Sequence, residues 1–485
     1  MARFLAAETF ASSSDELALL PFHFERIGTE QFLVSNIVGD FIRLTEDEIN
    51  RLVDLNLTPG DGLYQKAYTA HLITGSRRKA QQQLLALRLR SRMSFLREVT
   101  PLHMFVVTLR CEHSCPYCQV SRQSTDHSRF DMSEATAQRA LGIAFESKSS
   151  RIKIEFQGGE PLLNFTLIKA IVSAAQSRSA TLGKNVDFVI ATNLALLDDA
   201  VLEFCKANDI LLSTSLDGPA DLHNKNRPRP GGNSYELAVA GIRRAQEALG
   251  PDRIGALMTT TDASLGRVDE IIEEYLKLGL DGIFLRPLSP FGFAIKTKQY
   301  QRYDAKSWLE FYKRGLRRIL DINHHGTPFR EFYSALILTR MLTDKPIGYV
   351  DLRSPAGIGI GALVYNYDGS VFASDEGRML AETGDNSFRL GHVDQDDYRA
   401  LVLSDRLVDA ISASLTQCAP ECSTCVFESH CGANPVHHHA TQGEALGIKP
   451  LSDFCARQKG IMHHLLQLLD ESPRDAAILR RWAGA

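Results

Sequence analysis

Three cysteines, Cys111, Cys115 and Cys118, constrain the fold of this chain more than any other feature. They stand in C-x3-C-x2-C spacing directly after the apolar, strand-like run Met104-Phe105-Val106-Val107-Thr108. Zinc closes a structural site with four ligands, so three thiolates in one loop leave it waiting for a distant partner. A cubane iron–sulfur cluster also takes four cysteines as a rule, and three leave one iron open to an outside ligand.

What surrounds the loop reads as a βα series. Strand-like runs at 104–108, 151–156, 186–191, 210–216, 253–260 and 281–286 alternate with amphipathic segments, and Ser133, Asn164, Asp198 and Ser234 fall where helix N-caps belong. Six such units imply a parallel sheet curled toward a barrel, with ligand residues at the C-terminal ends of its strands. Those ends carry Gly158-Gly159-Glu160-Pro161, Thr192-Asn193, Ser215-Leu216-Asp217-Gly218 and Leu285-Arg286-Pro287, with Arg227 in a following loop. Cys205, at apolar spacing with Leu202 and Phe204, reads as a small buried hydrophobe.

The cysteine loop and the Gly-Gly-Glu-Pro turn about 40 residues later resemble the radical S-adenosylmethionine (radical SAM) enzymes. The resemblance implies a partial (β/α)6 barrel in which a [4Fe-4S] cluster on Cys111, Cys115 and Cys118 binds SAM and cleaves it to a 5′-deoxyadenosyl radical. It places Tyr117 beside the adenine, and Gly158, Gly159 and Glu160 against the methionine amino group. Thr192, Asn193, Ser215 and Asp217 would line the ribose and carboxylate. Arg227 is the candidate fork to the SAM carboxylate.

The chain's 485 residues suggest roughly three domains. Ahead of the barrel, Phe22 to Arg26 and Gln31 to Val34 form a hairpin signal, and Thr45-Glu46-Asp47-Glu48 a capping box. A small α+β, winged-helix-like module over 1–100 follows, resembling loosely the peptide-recognition element of peptide-modifying radical SAM enzymes, to which a leader peptide adds as an edge strand. From Arg77 to Arg97 there are seven basic residues and no acidic one, read as a solvated face whose Leu84, Leu85, Leu87 and Leu89 find the core. The barrel occupies 101–300 and a helical linker 301–355.

Over 356–485 a hairpin around Asp368-Gly369 precedes Cys418, Cys422, Cys425, Cys431 and Cys455. This resembles the SPASM (twitch-like) extension, whose outer cluster matches Cys422, Cys425, Cys431 and Cys455, with Cys418 left over either as a substitute for Cys455 or as an inert spare. Inner-cluster positions hold Ser374 and Pro435 instead, so one auxiliary [4Fe-4S] cluster is expected, with zinc on the same thiolates as the alternative. Asp375 matches the proposed base of sulfatase maturases. His437, His438 and His439 read as a solvated loop.

Lys plus Arg number 54 against 58 Asp plus Glu, for a net charge of −4, so neither nucleic acid nor an anionic membrane is an expected partner. Glu8 interrupts the one stretch that could pass for a signal h-region, and seven of nine cysteines lie in two clusters, both pointing to a reducing, cytoplasmic setting. In domain order the chain looks most like the His-Xaa-Ser system maturases. These act on a ribosomally synthesised precursor peptide and need a flavodoxin- or ferredoxin-like reductant. A formylglycine-forming sulfatase maturase and a metal-binding winged-helix regulator are the competing readings.

Overall fold

The computed structural model describes residues 17–75 and 78–485, so the expectations resting on Glu8 and Arg77 lie outside it. After a two-residue strand, Ala18–Leu19, paired with Ile73–Thr74, three antiparallel strands form a sheet of their own: β1 (Phe22–Ile27), β2 (Gln31–Asn36) and β3 (Phe41–Thr45), with β2 in the middle. Thr45 accepts from the Glu48 amide while the Glu48 carboxylate accepts from the Thr45 amide, and this capping box starts helix Glu46–Val53. In the basic helix Arg78–Arg92 only Leu85 of the four leucines is buried, while Leu84 and Leu87 are exposed. Its cations hold it instead: Arg88 pairs with Asp40 and Asp344, and Arg92 with Asp344.

Five parallel strands make the barrel sheet: β4 (Leu102–Thr108), β5 (Arg151–Gly158), β6 (Asn185–Ala191), β7 (Leu211–Ser215) and β8 (Ile254–Leu257). Along β5 the alternation sends Ile152, Ile154 and Phe156 into the core and leaves Glu155 and Gln157 for the opposite face. Asp198 and Ser133 cap their helices as expected, accepting from Val201 and Thr136. Asn164 instead donates to the Val107 carbonyl (2.9 Å), and Ser234 is the first helical residue of Ser234–Leu249, its hydroxyl bonded to two imidazoles.

The sixth run departs from expectation. Only Gly282–Ile283 is strand, and it pairs with Arg330–Glu331 instead of β8. The Leu285 amide goes to the Glu331 carboxylate (3.2 Å) and Pro287 has none to offer, so the ladder cannot continue. At the other edge the sheet gains three strands: β9 (Ala362–Tyr365) runs parallel to β4, followed by antiparallel β10 (Ser370–Phe372) and β11 (Arg389–His392). The hairpin around Asp368-Gly369 therefore extends the same sheet as the strand leading into the first cysteine loop. Helix Ala305–His324 buries Trp308, Phe311, Tyr312, Leu316 and Ile319 on one stripe.

Two imidazoles buried in this core make stability depend on pH. His103 sits between the Tyr365 hydroxyl and the Thr100 carbonyl (3.0 Å each), and His223 accepts the Asp217 amide at Nδ1 (3.2 Å). Burial lowers their pKa values from 6.5 to about 3 and about 4. Below pH 6.5 the unfolded chain binds protons that the folded chain refuses, so stability falls as pH falls, by about 1.4 kcal/mol per pH unit for each group. Urea midpoints measured from pH 7 to 5 should drop accordingly, with a shallower slope in His103→Gln; an unchanged slope would contradict this assignment.

Candidate functional site

The first cysteine loop is pinned at both ends by backbone. The Ser114 amide donates to the Pro228 carbonyl (2.7 Å), the Cys118 amide to the Cys115 carbonyl (3.1 Å), and the Phe293 amide to the Cys118 carbonyl (2.8 Å). Just upstream, Arg110 forks onto Asp131 with two 2.7 Å bonds, fixing the exit from β4. Cys111, Cys115 and Cys118 all line a cavity of about 580 Å³ at the C-terminal ends of the strands. Burial pushes the Cys115 thiol up to about 12 against the pull of Arg227, and burial raises Cys111 as well.

Gly158 and Gly159 end β5 against this loop. The Gly159 amide donates to the Thr108 carbonyl (2.9 Å), and the Glu160 amide to the Arg110 carbonyl (2.7 Å). A Cβ on Gly158 would lie 2.0 Å from the Thr108 oxygen, and one on Gly159 2.2 Å from the Arg110 oxygen. Only glycine permits this approach. The Glu160 carboxylate is fully buried and engaged by the protein itself: it accepts from Thr192 Oγ1 (2.7 Å), the Asn193 amide (2.8 Å) and the Leu162 amide (3.0 Å). Burial, then the Glu112 charge, raises it to about 7. Glu160 therefore ties the second and third strand ends together, and Gly158, Gly159, Thr192 and Asn193 are left to face the cavity.

Asp217, also fully buried, meets Arg227 through Nε at 3.1 Å and accepts from the Tyr117 hydroxyl. The Arg227 guanidinium stands 5.5 Å from the Tyr117 ring centre. Burial works against the charge of Asp217, but Arg227 outweighs it and holds the carboxyl below its usual range. Arg227 and Ser215 line the cavity, and Asp217 anchors the arginine from behind.

The same cavity is also lined by Glu155, Gln157, Arg286, Tyr349, Asp351, Asp375 and Glu376. Asp375 opens helix Asp375–Ala381 and is bound to the Arg378 guanidinium (2.9 Å), so its carboxylate is already paired. Burial, then the charge of Glu376, raises the Asp351 carboxyl. Sequence reading missed Glu155, Gln157, Asp351 and Glu376. The alternation along β5 could have flagged the first two, whereas Asp351 lies in an irregular stretch with no periodicity to read.

The positions expected to lack inner ligands are occupied by helix starts. Ser374 caps Asp375–Ala381 by accepting from the Gly377 amide (3.1 Å), and Pro435 is the first residue of Pro435–Gln442. His437, His438 and His439 belong to that helix, the first two buried, which corrects the solvated loop expected for them. The cause is packing on the Ser452–Phe454 corner, where His438 bonds Ser452 Oγ at 3.1 Å. Burial raises the Cys431 thiol, and the charges of Cys455, Cys425 and Cys422 raise it further. Cys418 is exposed and Cys205 fully buried.

Residues 105–279 match the model of the radical SAM superfamily. Over 402 residues the chain is 22% identical to a serine-type anaerobic sulfatase-maturating enzyme of Klebsiella aerogenes, covering 80% of this chain and 91% of that one. It is 29% identical over 185 residues to an uncharacterised protein of Methanocaldococcus jannaschii, covering 38% of this chain and 61% of that protein's length. Among solved structures, anSMEcpe with bound AdoMet superposes with a TM-score of 0.64 at 17% identity, over 79% of this chain and 99% of that one. Streptococcus suis SuiB bound to precursor peptide SuiA gives 0.53 at 13% identity, over 89% and 98%.

Proposed function

We propose that this chain, whose residues 105–279 form a radical SAM domain, is a maturase that modifies a ribosomally made precursor peptide, forming a side-chain crosslink as the His-Xaa-Ser system maturases would. One observation carries the reading: a single cavity of about 580 Å³ joins the three-cysteine loop to the polar wall formed by β5 and the C-terminal extension. That leaves room for a cofactor at one end and a substrate side chain at the other.

The residues fit the implied groups. Three sulfurs face the cavity, the two glycines let the backbone leading into the cysteine loop close against the end of β5 while lining the same cavity, and among the described residues Glu112 Oε2 is buried beside the loop without a partner. Cys111, Glu112 and His113 also lie within 4.8 Å of one another, but His113 already spends both ring nitrogens on Glu112 and Ser234. Cys111, Cys115 and Cys118 would hold the cluster, with Gly158, Gly159, Asn193, Ser215 and Arg227 around SAM and Tyr117 at the adenine. When bound, the cluster supplies the electron that splits SAM, and with it the power to remove a hydrogen atom from an unactivated carbon. The chain's own part is to orient both ligands and keep water out. Cys422, Cys425, Cys431 and Cys455 would hold one auxiliary cluster.

On the N-terminal sheet, among the described residues, β1 and β3 each pair on one side only, and Phe24 on β1 is 53% exposed. A leader peptide would add to an open edge through backbone hydrogen bonds. A flavodoxin- or ferredoxin-like protein would supply electrons. Among the described residues no helix is long and apolar enough to cross a membrane.

The 402-residue match to a sulfatase maturase favours a second reading, formylglycine formation. The two separate in one experiment: the holoenzyme with SAM and dithionite is offered either a precursor from a neighbouring small reading frame or a sulfatase-derived peptide. The expected result is 5′-deoxyadenosine together with a precursor lighter by a pair of hydrogens. Formylglycine in the sulfatase peptide alone would reverse the choice, and no 5′-deoxyadenosine with either would end both.

A further inference from the structure

We infer that four cations between the N-terminal module and the C-terminal extension hold one small inorganic anion, the size of a halide ion, in a cavity separate from the one at the cysteine loop. Arg92, Arg340, Lys345 and Arg353 line a cavity of about 20 Å³, and among the described residues no carboxylate lines it with them. Arg92 ends the basic helix Arg78–Arg92, and Arg340 lies in helix Phe332–Leu342. Lys345 and Arg353 flank the irregular stretch that brings Tyr349 and Asp351 to the larger cavity. The small cavity admits about one water-sized body, so the four positive groups share very little space.

The hydrogen bonds around it satisfy donors but leave the charge unanswered. Arg353 is 7% exposed, its Nε and Nη2 donate to the Ile347 carbonyl (3.0 and 2.5 Å), and its guanidinium carbon lies 4.6 Å from the Phe95 ring centre. Burial lowers its pKa with no neighbouring charge in opposition. Arg340 donates through Nη2 to the Cys431 carbonyl (3.2 Å), while its buried Nε has no hydrogen-bond partner among the described residues. Neither arginine forms an ion pair with a carboxylate among the described residues. Arg92 has Asp344 at 3.4 Å, but Asp344 is divided with Arg88 at the same distance. Arg92 Nη2 donates to the Arg340 carbonyl (3.3 Å), and Lys345 Nζ to the Gly484 carbonyl (2.7 Å). Carbonyl dipoles do not neutralise guanidinium groups withdrawn from water, which are costly to bury unless an anion meets them.

Size and geometry select the ligand. Phe95 covers one face of the Arg353 guanidinium, which leaves the edges, where the N–H groups point, for an acceptor. A space of about 20 Å³ suits a monatomic anion and is too small for a phosphate or sulfate. Bound there, the ion would tie the end of the basic helix to the stretch on which Tyr349 and Asp351 stand. The basic run ahead of the barrel thereby supplies one wall of an internal anion site.

The test uses the full chain as holoenzyme, purified anaerobically in gluconate and titrated with chloride at constant ionic strength. The melting temperature should rise and saturate, gaining roughly 2–4 °C, and bromide should reproduce the rise while sulfate does not. Arg340→Gln, which keeps a donor for the Cys431 carbonyl, should lose the saturable rise and, in gluconate, melt no lower than the parent. Lys345→Gln, at the exposed rim, should raise the half-saturating chloride concentration about threefold with folding intact. Crystals grown in bromide should show one anomalous peak between Arg340 and Arg353. No saturable rise in the parent, an equal rise with sulfate or in Arg340→Gln, or a cavity holding water in place of bromide overturns the inference. If Arg340→Gln fails to fold, the Lys345→Gln shift and the bromide peak decide, and the absence of either overturns it.

Discussion

Anaerobically reconstituted Cys115→Ala protein is expected to hold about four iron atoms per chain where the parent holds about eight, and to release no 5′-deoxyadenosine from SAM. Cys115 lies in the middle of the three-cysteine loop and its sulfur lines the cavity. The loop stays anchored without it, because the bonds to Pro228 and Phe293 are made by main chain. Folding should therefore survive while the first cluster is lost, and the auxiliary cysteines should keep theirs. Iron analysis and chromatography of the SAM products measure both halves. Full iron content, or turnover that persists, would remove the basis of the proposed chemistry.

Gly159→Ala should be nearly as damaging although it deletes no ligand. The added methyl would meet the Arg110 and Leu109 carbonyl oxygens at 2.2 and 2.7 Å, backbone atoms with nowhere to go. Overpacking of this kind costs about 1–3 kcal/mol, and a displacement of about 1 Å in a reacting group can cost 10²-fold in rate. The expected outcome is at least a 10²-fold loss of SAM cleavage with iron retained. Gly255→Ala is the control, since among the described residues nothing lies within 4 Å of its added Cβ. Loss of iron in Gly159→Ala would mean that the turn supports the cysteine loop itself and not the ligand in front of it.

Local chemistry made much of the site readable in advance. The cysteine spacing, the paired glycines and the strand ends at Thr192 and Ser215 are short-range patterns, and in the fold they converge on one cavity. Glu160 was harder: a glutamate beside a glycine turn reads as a ligand acceptor, and nothing local says that Thr192 and Asn193 will claim its oxygens. The same holds for Asp375, whose partner Arg378 is near in sequence but acts as a neutraliser only once both are folded into one helix turn. The shortening of the sixth strand to Gly282–Ile283 turned on Glu331, some 46 positions from Leu285, taking the Leu285 amide. Long-range competition for hydrogen bonds leaves no period in a sequence.

Because β9 zips directly onto β4, the front and back of the molecule cannot be parted at the hairpin. Removing the segment from residue 356 onward would strip the inner neighbour from the very strand that delivers Cys111, baring a long apolar edge of Phe105, Val106 and Val107 to other chains. The two segments thus share one sheet, and aggregation is the expected penalty for separating them.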